Sequence, residues 1–237
     1  MIITDDNFAT IVGAVEQGRI IYSNIIRFIH YLFSCNFSEI LTIFVPIIIG
    51  WPLPLVALQI LWLNMVTDVF PALALALEPS TPGLMKRKPR DPKQPLLNAP
   101  FLWMIIWQAA LLAGATLTSF YVAMQWHDVD EQGMTLSTTV AFMTLAMTQV
   151  LHVFSARSTR RSAILSFFFS NAWLWAAVIG CTFLQLAAVY LVPLNRLLHT
   201  APLAERDWLL IGACSLAPAV VIEAIKFGRH LAYGDEI

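Results

Sequence analysis

The sequence predicts an all-α membrane protein, a polytopic bundle of about six transmembrane helices. Composition is the first observation: 58% of the 237 residues are hydrophobic and only 12% are charged, whereas about a quarter of a soluble domain is charged. The second is the length of the apolar stretches, which approaches or exceeds the roughly 20 residues that a helix needs to cross a bilayer. Lipid is therefore the main solvent of this chain.

The apolar stretches place six spans near residues 28–50, 53–77, 101–126, 137–155, 171–194 and 207–226. Residues 1–24 have the composition of a soluble protein but are too few to bury a core. We interpret them as a cytoplasmic stub and the start of a helix, with Asp5, Asp6 and Asn7 offering capping oxygens near Phe8. Residues 25–237 then form the six-helix transmembrane domain.

Lys and Arg are distributed unevenly between the two sides of this bundle. One side carries only Arg196 and Arg206. The other carries 12 of the 14 basic residues, namely Arg19, Arg27, Lys86, Arg87, Lys88, Arg90, Lys93, Arg157, Arg160, Arg161, Lys226 and Arg229. Because basic residues concentrate in cytoplasmic loops, both termini are predicted to lie in the cytoplasm.

The segment from Glu78 to Pro100 is predicted to be an extended cytoplasmic loop, because it contains six prolines, which cannot continue a helix. Its five basic residues either only set the topology or dock a partner domain. The remaining basic residues are too scattered to form a nucleic-acid interface. Cys35, Cys181 and Cys214 lie in predicted spans, where thiols pack as small apolar groups and imply no disulfide framework.

Two carboxylates lie in the middle of predicted spans, Glu39 in the first and Asp68 in the second. Each costs about 2.5–3.5 kcal/mol at the centre of a bilayer, so such residues usually face an interior and serve a function. Asn36 shares a helical face with Glu39, and Asn64 and Thr67 share one with Asp68. Two facing stripes of oxygen ligands, as hard cations require, are therefore predicted.

Pro71 supports this interpretation, because its ring excludes the helical hydrogen bond to the carbonyl of Thr67. Freed carbonyls beside carboxylates at mid-membrane are typical of cation sites in transporters. The alternative is that these polar groups only hydrogen-bond between helices. We apply that interpretation to the isolated residues Gln108 and Gln185.

The fourth and sixth spans carry further polar residues. Gln149 and His152 share a face of the fourth span, so that Gln149 can add one oxygen to the cluster, at its periphery, while His152 is predicted to hydrogen-bond locally. Glu223 and Lys226 near the end of the sixth span are one turn apart and are interpreted as snorkelling side chains.

Several strings resemble the C-terminal membrane part of the P-type cation-transporting ATPases, in particular the calcium-pump-like bacterial branch. They are Thr4–Phe8, Val15–Arg19, Ser34–Glu39, Leu61–Asp68, Pro71–Leu75 and Leu84–Arg87. The resemblance implies that the six spans correspond to the fifth to tenth of that family. It also implies that residues 1–24 are the end of the phosphorylation domain and lead into a stalk helix.

Residue by residue, the resemblance implies that the cation ligands are Asn36, Glu39, Asn64, Thr67 and Asp68. Gln149 falls where some calcium pumps have a Glu, and this loss of one negative charge favours a single site or another cation. Val69 stands where the family often has Gly, which makes local unwinding less easy. His30 stands where an Arg is common.

The phosphorylated Asp-Lys-Thr-Gly-Thr string, the Thr-Gly-Glu loop and the Gly-Asp-Gly hinge of that family are absent from these 237 residues. The sequence therefore predicts no catalytic residue, no ATPase activity of the chain alone and no cofactor in it, with ATP and Mg acting in the complete pump and a calcium-like cation as cargo. The implied partners are the lipid bilayer and the remaining N-terminal and cytoplasmic domains, and the implied location is the bacterial cytoplasmic membrane. The alternative is a freestanding membrane protein that gives a passive cation pathway or assists assembly.

Overall fold

The computed structural model describes residues 8–80, 83–86, 95–128, 130–158 and 169–233. This part of the chain is entirely helical outside its turns, which confirms the predicted fold class. The helices are α1 (Phe8–Ile49), α2 (Ala57–Leu63), α3 (Val69–Ala76), α4 (Ala99–Trp126), α5 (Glu131–Ala156), α6 (Ala172–Tyr190), α7 (Val192–Leu198) and α8 (Glu205–Tyr233). A π-helical turn, Asn64–Asp68, joins α2 to α3, and Leu84–Lys86 form one 3-10 turn.

Among the described residues, six segments are long and apolar enough to cross a membrane: α1, the α2–α3 unit, α4, α5, α6 and α8. Their number agrees with the sequence prediction, but the helices extend beyond the apolar stretches. α1 begins at Phe8, well before residue 28, and α8 continues to Tyr233. Hydropathy marks only the part that lies in lipid, whereas backbone hydrogen bonding continues into water. The division at residue 24 stays a prediction, because α1 runs through it; the proposed caps at residues 5–7 lie outside the described residues.

The first helix ends at a glycine. Gly50 has a φ of +76°, a conformation that L side chains disfavour, and the amide of Trp51 donates to the carbonyl of Pro46 at 2.9 Å. This is the hydrogen bond of a Schellman cap. The chain therefore turns sharply here, and the α2–α3 unit returns beside α1.

The centre of the bundle is α5. In its most apolar window 83% of the residues are buried, against 50% or less in the other five spans. α5 contacts α1, α3, α4, α6 and α8, and its inward residues are mostly small or hydroxylated, such as Thr144 and Thr148. Small and hydroxyl side chains let membrane helices approach closely. The other spans keep large apolar residues exposed, as lipid-facing helices do.

The segment from Glu78 to Pro100 is only partly an extended loop. Residues 81–82 and 87–94 lie outside the described residues. Glu78 itself is buried, and the guanidinium of Arg19 donates to the carbonyl of Leu84 at 3.0 Å. The start of this segment is therefore fastened to α1.

Candidate functional site

The two mid-span carboxylates lie between α1 and the π-helical turn, and both are buried, with Glu39 4% and Asp68 5% exposed. Asn64 Nδ2 donates to Glu39 Oε2 at 3.2 Å, and Asn36 Nδ2 donates to Asp68 Oδ2 at 3.1 Å. Each asparagine therefore crosses from its own helix to the carboxylate of the other. The facing stripes expected from helical periodicity are present.

Gln149 contacts the cluster from a further helix, α5. Its Nε2 donates to Glu39 Oε1 at 2.9 Å, and its Oε1 accepts from Thr67 Oγ1 at 2.7 Å. Gln149 is fully buried, so it bridges two elements and does not lie at the periphery of the cluster. All six candidate residues are brought together. Glu39 is hydrogen-bonded to Asn64 and, through Gln149, to Thr67. Asn36 and Asp68 form a separate pair, and the peptide bond between Thr67 and Asp68 joins this pair to the first group.

The carbonyl of Thr67, which Pro71 deprives of its helical donor, has a partner from another helix. Tyr31 on α1 donates its hydroxyl to this oxygen at 2.5 Å. Our sequence reasoning missed Tyr31, although a signal existed: Tyr31, Cys35 and Glu39 recur every four residues and so share one face of α1.

The break in the second span is a π-helical turn and not an unwound segment. Asn64–Asp68 adopt this wider helix, which is rare and is found frequently at functional sites. Val69 follows it in regular helical conformation, as expected for a residue other than glycine. From α6, Cys181 Sγ donates to the carbonyl of Val66 at 3.2 Å, so the turn is held by backbone contacts on two sides.

The cluster contains two acidic side chains and is incompletely satisfied. Asp68 Oδ1 is buried and has no hydrogen-bond partner in the described part of the chain. No Lys or Arg forms an ion pair with Glu39 or Asp68 there. The nitrogens of Asn36 and Asn64 also donate to carbonyls four residues back, and no described donor contacts their amide oxygens.

The described residues contain no group of three or more His, Cys, Asp or Glu side chains that could hold a metal ion. The oxygens gathered here come from two carboxylates, three amides and one hydroxyl. Carboxylate and amide oxygens are ligands of hard cations such as Ca²⁺, whereas softer metals prefer imidazole and thiolate. The donor set therefore fits a hard cation in its chemistry, and Asp68 Oδ1 is the buried carboxylate oxygen in it that has no partner among the described residues.

Three other sequence interpretations concern polar residues around this cluster. His30 Nε2 lies 2.6 Å from Gln108 Oε1, which confirms the interhelical hydrogen bond expected of Gln108. Gln185 is fully buried, yet its amide has no partner among the residues described. The interhelical bond expected of Gln185 is therefore not formed within the described part of the chain.

The prediction of a local hydrogen bond for His152 is wrong. Neither of its ring nitrogens has a partner within the described ranges. The ring packs edge-on against His30, with centroids 5.5 Å apart, and stacks on Tyr31 at 6.2 Å. Aromatic packing at the crossing of α1 and α5, and not hydrogen bonding, therefore determines its position.

The snorkelling interpretation of Lys226 is also wrong. Lys226 is 6% exposed, and its ammonium donates to the carbonyl of Ser155 at 2.5 Å and to Glu223 at 3.1 Å. Ser155 Oγ also donates to Glu223, at 2.8 Å. These groups face α5 and not the membrane surface, because α8 packs this side against the central helix.

The fold and the cluster define a class: a polytopic helical membrane protein with an oxygen-lined site, containing two acidic side chains, at an interrupted helix. A family model described as "Cation transporting ATPase, C-terminus" matches residues 52–228, which is most of the chain. The chain therefore belongs to this family, as the C-terminal transmembrane region of a P-type cation-transporting ATPase.

Several curated relatives are similar over almost the whole chain. The "Calcium-transporting ATPase" of Bacillus subtilis (strain 168) is 36% identical over 222 residues, which cover 94% of this chain and 24% of the relative. The "Calcium-transporting ATPase 1" of Bacillus cereus is 35% identical, with 97% and 27% covered. The "Probable cation-transporting ATPase F" of Mycobacterium tuberculosis is 35% identical, with 94% and 24% covered. The chain spans about a quarter of the length of these relatives.

Proposed function

We propose that this chain is the transport part of a P-type cation pump and that its intramembrane cluster binds the transported cation, with calcium as the cargo. The proposed ligands are Asn36, Glu39, Asn64, Thr67 and Asp68, with Gln149 completing the cation-binding set. The observation that carries this proposal is the buried Asp68 Oδ1, which has no partner in the described structure. Leaving such an oxygen unsatisfied costs free energy, which a bound cation would recover.

The contacts of the two asparagines support a specific exchange. Their nitrogens now donate to the carboxylates of Glu39 and Asp68 and partly compensate the two negative charges. A divalent cation would neutralise both charges itself, and a rotation of each amide would offer its oxygen as a ligand. The asparagine hydrogen bonds are thus suited to hold the site together between two transport events.

The length of α1 suggests how the site is controlled from outside the membrane. Its 42 residues make one helix of roughly 60 Å, about twice the thickness of a hydrocarbon core. It carries the exposed Asn36 and the buried Glu39 at the cluster, while its first turns extend beyond the apolar stretch. A tilt of this helix by attached cytoplasmic domains, which would use ATP and Mg, shifts the population between a cation-bound and a released state.

The basic residues favour an orientation with both termini in the cytoplasm, here of a bacterium, and multiple passes through its cytoplasmic membrane. The partners are then the lipid bilayer and the remaining N-terminal and cytoplasmic domains of the pump. Membership of the ATPase family favours this function over a freestanding passive pathway.

A chimera tests the proposal, in which this chain replaces the matching part of the Bacillus subtilis relative. We expect the chimera to form a phosphoenzyme from ATP only when Ca²⁺ is present. Asp68→Asn keeps the shape and removes the charge, so it should abolish Ca²⁺-dependent phosphorylation, whereas Asp128→Asn at an exposed position should not. Unchanged Ca²⁺ dependence in Asp68→Asn, with an unaltered melting temperature, contradicts the proposed site.

A further inference from the structure

We propose that Tyr31 is a positioning residue for cation binding: its hydroxyl holds the carbonyl that Pro71 leaves without a helical donor and thereby orients Asp68. The inference rests on the proposed function. Tyr31 is not among the proposed ligands, and it acts on the site only through the backbone of the π-helical turn.

The first step of the argument concerns the carbonyl of Thr67. In a regular helix this oxygen would accept from the amide of residue 71, but proline has no amide hydrogen. A buried carbonyl without a donor costs about 1–3 kcal/mol. The hydroxyl of Tyr31, 2.5 Å away, supplies the missing donor from a neighbouring helix, so the break in the second span depends on a residue of the first.

The second step concerns the peptide that this carbonyl belongs to. A peptide unit is planar, so a hydrogen bond that fixes the oxygen of Thr67 also fixes the amide and Cα of Asp68. The same bond holds the backbone from which Thr67 extends its hydroxyl to Gln149. The orientations of the Asp68 carboxylate and of the Thr67–Gln149–Glu39 chain therefore share one anchor.

The third step concerns Tyr31 itself, which is held rigidly. It is fully buried, and its ring stacks on His152 with an interplanar angle of 19°. Asn36, on the same helix, donates to the side chain of Asp68. α1 thus holds the backbone before Asp68 at one point and its carboxylate at another, so a movement of α1 changes the geometry of the site directly.

The test uses the chimera described above and measures the Ca²⁺ concentration for half-maximal phosphoenzyme formation. Tyr31→Phe keeps the ring and removes only the hydroxyl. We expect the half-saturating Ca²⁺ concentration to rise roughly fivefold, the factor that one ordinary hydrogen bond provides, while the maximal phosphoenzyme level is unchanged. Tyr121→Phe is the matched control, because Tyr121 is half exposed and stacks on Trp51 away from the site; it should not alter the half-saturating concentration.

A second variant separates this role from simple packing. Pro71→Ala restores an amide donor to the carbonyl of Thr67, so the Tyr31 hydroxyl is no longer needed there. In the Pro71→Ala background, Tyr31→Phe should change the half-saturating Ca²⁺ concentration by less than twofold. If Tyr31→Phe reduces the amount of folded protein, the melting temperatures of the parent, the two single variants and the double variant are compared instead. We again expect Tyr31→Phe to lower the melting temperature less in the Pro71→Ala background than in the parent.

The inference is overturned if Tyr31→Phe changes the half-saturating Ca²⁺ concentration equally in both backgrounds, or does not change it in the parent. In either case a loss of Ca²⁺-dependent phosphorylation in Asp68→Asn still supports the proposed function. If Asp68→Asn keeps the Ca²⁺ affinity of the parent, the proposed function fails first, and the inference fails with it. The two failures are therefore distinguishable.

Discussion

Glu78 and Arg157 form a buried ion pair that joins the end of α3 to the end of α5. Arg157 donates to Glu78 Oε1 from Nε at 2.9 Å and from Nη2 at 2.6 Å. Asn171, the N-cap of α6, donates to the second carboxylate oxygen at 2.7 Å, and Asn24 of α1 donates to the carbonyl of Glu78 at 2.9 Å. Four helices thus meet at Glu78: α5 and α6 are fastened to α3 through its carboxylate, and α1 through its backbone carbonyl.

We expect Glu78→Ala to lower the free energy of unfolding by about 3–5 kcal/mol, because it leaves the Arg157 guanidinium buried without its counter-charge. Chemical denaturation in detergent micelles measures this change. Glu16→Ala, a partly exposed position on α1, is the control and should change the unfolding free energy by less than about 0.5 kcal/mol. Similar losses in the two variants would show that the ion pair has no special role in stability.

Gln149 should matter less to cation affinity than Asp68 does, because it is neutral. Gln149→Ala removes the hydrogen-bond partner of Glu39 Oε1, whereas the Thr67 hydroxyl keeps the carbonyl of Leu63 as an acceptor at 2.8 Å, so the cost is that of one hydrogen bond, about 0.5–1.5 kcal/mol. We therefore expect a rise of roughly tenfold or less in the half-saturating Ca²⁺ concentration of the chimera, where Asp68→Asn abolishes the response. Gln185→Ala, at a buried glutamine without a described partner, is the control for losing an amide. Complete loss of Ca²⁺-dependent phosphorylation in Gln149→Ala would contradict this ranking.

His152→Phe is expected to keep or raise stability by about 1 kcal/mol. The substitution preserves the aromatic contacts with His30 and Tyr31 and removes two buried nitrogens that lack described partners, which are costly to bury. His30→Phe, which breaks the 2.6 Å bond to Gln108, should lower the melting temperature instead. The explanation is wrong if His152→Phe is as destabilising as His30→Phe.

The orientation of the chain can be measured by cysteine labelling from the two sides of the membrane. In a variant that lacks Cys35, Cys181 and Cys214, single cysteines near Lys88 and Arg160, which lie outside the described residues, should react only from the cytoplasm. A cysteine near Asp130, at the start of α5, should react only from outside. The reverse pattern would refute the orientation inferred from the basic residues.

The purified 237-residue chain should neither hydrolyse ATP nor form an acid-stable phosphoenzyme. The sequence contains no phosphorylation motif of the P-type family, and it predicts helix capping as the role of Asp5 and Asp6. Incubation with radioactive ATP and Mg, followed by acid precipitation, checks this expectation. Labelling of Asp5 or Asp6 would contradict it.

The sequence by itself determined the number and approximate position of the spans, because crossing lipid requires long apolar segments. It also determined which polar residues share a face with Glu39 or Asp68, because the helical period relates residues three and four apart within one helix. The family follows from the same short-range strings, and the comparisons confirm it.

The tertiary structure alone decided how these faces are rotated against each other. The bond from Tyr31 to Thr67, the bridge of Gln149 between Thr67 and Glu39, and the burial of Lys226 against Ser155 all join residues on different helices. Helical periodicity does not specify the rotation or the axial position of one helix relative to another. Those depend on the packing of all side chains around α5, so contacts between helices emerge only when the whole bundle is assembled.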